Sequence, residues 1–209
     1  MPDLQHLHHH WLHTWSELQQ PPPLGLYEQL LQAYSEPQRH YHTLQHLAEC
    51  LQLQSESAHL VQRPAEIAIA LWFHDAVYDV KAHDNEARSA DWAAAALQAA
   101  GVSAEVQARA HALIMATEHT AAPLTGDAAL LVDIDLAILG AAPARFAEYE
   151  WQIRQEYAWV PKDVFMAKRH AVLQEFVARL NIYSTAFLHS KLESAARANL
   201  HAMLKIENH

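Results

Sequence analysis

Apolar residues recur along this chain at helical spacing. Leu4, Leu7, Trp11, Trp15 and Leu18 mark one side of a first helix over about residues 4–19, because positions three and four apart share a face. His8, His9 and His10 fall within that period and read as polar residues on an amphipathic helix. Pro21, Pro22 and Pro23 end it, since proline donates no backbone hydrogen bond and keeps its predecessor out of helical geometry. The same reading predicts a helix in the later part of segment 39–53, and others over about 26–34, 64–78, 85–99, 103–117, 127–139, 143–157, 162–180 and 188–206. Gly101 is a natural terminator between two Ala-rich helices. The expectation is an all-α bundle of about nine or ten helices. It forms one domain over 1–209, with an N-terminal helix, a core over about 26–140 and C-terminal helices over 143–206.

Composition supports this reading and narrows the function. The 209 residues include only four glycines, which suits long helices better than tightly turning sheets. A formal charge of −10, from 24 acidic and 14 basic residues, denies the chain the broad positive field of a nonspecific nucleic-acid binder. Cys50 is the one cysteine, set in AECLQL like a small apolar residue on a helix, and it has no partner for an internal disulfide. The sequence begins with no basic, then apolar, leader, and no apolar stretch reaches spanning length. A cytoplasmic protein with no membrane partner is expected.

Chemistry enters where charge interrupts apolar runs. The run Ile67–Phe73 is broken by His74 and Asp75, and a buried carboxylate costs several kcal/mol unless a cation or strong donors compensate it. A metal ion would do so, and an imidazole and the neighbouring carboxylate can both lean toward one ion. One predicted helix earlier, His42 and His46 stand four apart and share a face if the helix includes both. In the run 130–139, Asp133 and Asp135 interrupt a third apolar stretch. These two diverge by about 200° on a helix, so one ion does not take both. Leu131, Ile138 and Leu139 surround Asp135, whereas Ala129, Leu136 and Ala137 surround Asp133. Asp135 is therefore the preferred ligand and Asp133 a supporting group or a surface residue.

The order H…HD…D over three helices, with the segments RHYHTLQHL, WFHDAVYD, NEARSA, ATEHT, LLVDIDLAILG, IRQEYAWVP and RHAVLQEFVARLNIY, resembles the bacterial group of metal-dependent phosphohydrolases in the HD superfamily. The likeness covers about residues 26–200. It implies an HD-type helical domain that hydrolyses a phosphomonoester or phosphodiester bond, in a nucleotide or another small phosphorylated metabolite. It also implies a divalent ion held by His46, His74, Asp75 and Asp135. Tyr41-His42-Thr43-Leu44-Gln45-His46 is similar to the Tyr-His-Asn-x-x-His segment of cyclic-nucleotide phosphodiesterases. By that analogy His46 is a ligand and His42 the general acid; the reverse assignment stays open. Two imidazoles and two carboxylates suit Mn, Fe, Co, Ni, Zn or Mg, with one ion favoured over two.

By the same resemblance Glu86 orients the water or binds a ligand histidine; the alternative is a helix N-terminal carboxylate. His119 is a residue lining the site, and His111 an ordinary helix residue. Arg39, Arg154 and Arg169, with Tyr157 nearby, are the candidates for meeting phosphate, because a guanidinium presents a planar fork to oxygen pairs. Trp72, Phe73, Trp151, Tyr157 and Trp159 are read as core. A homo-oligomer is compatible with the sequence, as is an HD-fold binding or regulatory module without efficient turnover.

Overall fold

The structure, a computed structural model, describes residues 3–118 and 125–206. Among these there are ten α-helices and no strand. They are α1 (Leu4–Glu17), α2 (Leu26–Ala33), α3 (Leu44–Ser57), α4 (Pro64–Phe73), α5 (Asn85–Ala99), α6 (Ala104–Met115), α7 (Gly126–Asp135), α8 (Pro143–Glu156), α9 (Lys162–Ala178) and α10 (Ala186–Ile206). No described helix is long and apolar enough to cross a membrane. The chain divides into two compact units, Met1–Val132 and Asp133–His209, with the division inside α7.

In the first unit α4 is the central element. Every residue from Ala65 to Phe73 is buried, as expected for a helix that is apolar on all sides. It packs against α1, α3, α5 and α6. The hairpin of α5 and α6 turns at Gly101, where φ is +78°, a left-handed conformation that costs glycine least. The indole rings of Trp11 and Trp72 meet edge to face at 5.1 Å, which fastens α1 to α4.

The histidine triplet lies within α1, as its period requires, but its members differ. His8 and His9 are exposed, whereas His10 is buried and bonds to Gln54 Oε1 at 3.1 Å. The Trp72 indole N–H donates to His10 Nδ1 at 3.3 Å. Burial pushes the His10 pKa down.

In the second unit the chain tightens after α7 into a 3-10 turn over Leu136–Gly140. The predicted helix over 127–139 is thus two elements. Gly140 allows a close backbone approach: a Cβ there would lie 2.7 Å from Leu192 Cβ and 2.9 Å from the Leu192 carbonyl oxygen. Glu193 accepts backbone donors from Ile182 and Tyr183. Trp151 and Trp159 are 60% and 55% exposed, against the expectation that they are core. Trp72 and Phe73 are fully buried.

Candidate metal centre

Two changes in helix length create the site. The helix predicted over 64–78 stops at Phe73, and His74 caps it in αR geometry. Asp75 therefore stands in a turn, where Ala76 N–H donates to the Phe73 carbonyl at 2.9 Å. On the other side, α3 begins at Leu44, after Thr43, whose hydroxyl accepts from Gln45 N–H as an N-cap. His42 precedes that helix, so His42 and His46 are not a helical i,i+4 pair.

His46 and His74 are 2% and 1% exposed. Their Nε2 atoms approach to 3.1 Å, and Asp75 Oδ2 lies 3.0 Å from His74 Nε2 and 3.4 Å from His46 Nε2. His74 Nδ1 lies 2.8 Å from the Leu71 carbonyl. A carbonyl only accepts, so Nδ1 carries a proton, and Nε2 is the ring nitrogen turned toward His46 and Asp75. Burial pushes the Asp75 carboxyl up, but His74 and His42 beside it, and hydrogen bonds from His46 and His74, outweigh this and hold it well below the ordinary carboxylate range.

His46, Cys50 and His74 each offer a ligand atom, and these atoms all lie within 4.8 Å of one another, a group that could hold a metal ion. The spacings fit such a use. Metal–nitrogen bonds of about 2.1 Å put neighbouring nitrogens about 3.0 Å apart at right angles and about 3.4 Å apart at tetrahedral angles. The observed nitrogen–nitrogen edge of 3.1 Å lies in that range, and Asp75 Oδ2, which is not one of that group, stands 3.0 and 3.4 Å from the two nitrogens. The donors are mixed imidazole, carboxylate and thiol, a set suited to first-row divalent ions.

Cys50, read from the sequence as a small apolar residue on a helix, stands beside His46. Its Sγ lies 3.7 Å from His46 Nδ1 and 3.8 Å from His46 Nε2. The signal was present: Cys50 stands four after His46 on α3, so both must share a face.

Arg39 has a 1% exposed side chain. It donates to the carbonyls of Asp75 at 2.6 Å, Ala76 at 2.9 Å and His42 at 3.3 Å, and to Glu36 Oε2 at 3.0 Å. These bonds tie the HD turn to the segment before α3. The Tyr34 hydroxyl accepts from Asp75 N–H at 3.3 Å, and burial pushes the Tyr34 pKa up to about 12, keeping it neutral. His42, half-buried, stacks on Tyr78 at 4.1 Å between ring centres and meets His46 edge-on at 5.9 Å.

The NEARSA segment braces this turn from α5. Asn85 Oδ1 accepts from Asp79 N–H and its amide donates to the Asp79 carbonyl. Ser89 Oγ accepts from Val77 N–H at 3.0 Å. Glu86 is half-buried in the first turn of α5. His111 faces Asp91 at 3.3 Å. His119 lies outside the described residues.

The two carboxylates of α7 differ in the opposite sense from their apolar neighbours. Asp133 is 1% exposed, while Asp135 is half-buried. Asp133 accepts from Ser184 N–H at 2.8 Å, Thr185 N–H at 2.7 Å and the Thr185 hydroxyl at 2.6 Å, satisfying donors at the start of α10. Burial raises its pKa against those bonds. Arg169 pairs with Glu150 and donates to the Tyr149 hydroxyl. Arg154 donates to the carbonyls of Tyr157 at 2.6 Å and Val160 at 3.1 Å, and Tyr157 caps the C-terminus of α8.

No protein-family model matches the chain, and neither does any curated protein or solved structure.

Proposed function

We propose that this protein is an HD-type phosphohydrolase that uses a divalent metal ion to cleave a phosphomonoester or phosphodiester bond in a nucleotide or other small phosphorylated metabolite. The observation that carries the reading is the convergence of the His46 and His74 Nε2 atoms at 3.1 Å beside Asp75 Oδ2. His46, His74 and Asp75 are the proposed ligands, with Asp135 the fourth that the sequence resemblance implies. A divalent ion there supplies Lewis acidity toward water and positive charge for phosphoryl oxygens. The chain's own groups prepare the rest. The Leu71 carbonyl fixes the His74 tautomer, and the Arg39 and Tyr34 contacts fix the Asp75 backbone. His42, beside Tyr78 rather than inside α3, is the proton donor to the leaving oxygen. His46 is preferred over His42 as ligand because it is the more buried and its Nε2 faces that of His74. A cytoplasmic setting and a small substrate, with no nucleic acid, belong to this reading.

A second reading has specific support. Arg39, Arg154 and Arg169 all donate to protein acceptors, which favours a metal-binding module without turnover. Metal analysis of the purified protein, beside phosphatase and phosphodiesterase screens with Mn, Co, Ni and Mg, separates the two. Hydrolysis that Asp75→Ala abolishes is the expected result. Stoichiometric metal without hydrolysis selects the binding module. If no divalent ion binds and Asp75→Ala leaves any activity unchanged, the site assignment is wrong.

A further inference from the structure

Cys50 is the only cysteine of the chain and is 2% exposed. A buried thiol on a helix is by itself a small apolar filler. Here, however, its Sγ lies beside His46 and within the group whose ligand atoms all fall within 4.8 Å. With metal–sulfur bonds of about 2.3 Å and metal–nitrogen bonds of about 2.1 Å, sulfur and nitrogen ligands at tetrahedral angles stand about 3.6 Å apart. The Cys50 Sγ to His46 Nε2 distance of 3.8 Å is close to that edge. The two histidines supply the independent indication that something is held here, since both are at least nine-tenths buried with Nε2 atoms converging.

We propose that Cys50 is a thiolate ligand of this centre and makes it selective for borderline ions such as Zn, Co or Fe over Mg or Mn. The inference rests on the metal-centre reading above and deepens it. On binding, the thiol proton passes to solvent and a metal–sulfur bond forms, with no change of oxidation state. Thiolate ligands favour softer ions, whereas Mg and Mn favour all-oxygen surroundings. A site of imidazoles and carboxylates alone would discriminate less.

Cobalt reports both levels at once. The metal-free protein is titrated with Co2+ and its absorption compared with that of Cys50→Ser and Cys50→Ala. The expected wild-type spectrum has visible ligand-field bands together with an intense near-ultraviolet sulfur-to-cobalt charge-transfer band. In both variants the charge-transfer band is lost while the ligand-field bands persist, and Co2+ affinity falls by about a hundredfold or more, beyond the loss usual for outer ligand partners. A wild-type spectrum with ligand-field bands only, unchanged in the variants, overturns the role of Cys50 and leaves the metal centre standing. No ligand-field bands at all removes the centre, and this inference with it. An unmutated control avoids any folding defect in the variants: because the chain has a single thiol, its reaction with an aromatic disulfide reagent reports Cys50 alone. Zn2+ should slow that reaction by about tenfold or more while Mg2+ leaves it unchanged; equal rates with and without Zn2+ overturn the proposal.

Discussion

Replacing Arg39 tests whether the HD turn is built on one buried guanidinium. Its two shortest bonds to backbone, at 2.6 Å to Asp75 and 2.9 Å to Ala76, run from a charged donor to carbonyls away from water. Each such bond is worth about 1.5–3 kcal/mol net, so Arg39→Ala should cost about 3–6 kcal/mol. That is a large share of the roughly 5–15 kcal/mol that stabilises a typical domain. Arg39→Lys is the sharper variant. It keeps the charge and most of the stem but replaces three nitrogens set in a plane by one, which cannot serve Asp75, Ala76 and Glu36 together. The expected cost is about 2–4 kcal/mol. Chemical denaturation of the metal-free protein measures it, and Co2+ titration of the folded variant should show weakened binding, because the Asp75 and His42 backbones lose their common tie. A lysine variant with the wild-type denaturation midpoint and unchanged Co2+ affinity would refute the reasoning.

Two further predictions separate roles that the sequence left open. His46→Ala should lose the metal, whereas His42→Ala should keep it and lose turnover by about a hundredfold or more; metal analysis and steady-state rates check this, and the reverse pattern exchanges the two roles. Asp133→Asn should lower stability by about 2–4 kcal/mol, since the amide presents one acceptor where three donors converge. It should leave Co2+ affinity unchanged, and a loss of cobalt binding without loss of stability would move Asp133 into the centre.

The helical class followed from periodicity alone, because an apolar stripe every three to four residues fits only one regular backbone. The ends were harder. The limits of α5 and the Gly101 turn matched the pattern, since glycine and local polarity set them. The end of α4 did not, because Val77 and Tyr78 continue the apolar period while Ser89 and Asn85, from the next helix, take the backbone donors of Val77 and Asp79. His74 and Asp75 were legible as a candidate site for two reasons: a carboxylate after a fully apolar run demands compensation, and the pair falls in the H…HD…D order on which the resemblance rests.

The sequence by itself determined the helical class, the apolar identity of α4 and the presence of an imidazole and carboxylate where its apolar run breaks. Only the tertiary structure decided what those groups face. It buried Asp133 under the backbone donors of Ser184 and Thr185, some fifty positions along the chain, set Arg39 on the Asp75 and Ala76 carbonyls, and brought the Nε2 atoms of His46 and His74, 28 positions apart, to 3.1 Å. The physical reason is one of range. Helical spacing is a local consequence of backbone geometry, while the partners of a buried polar group are supplied by whichever distant segment packs against it.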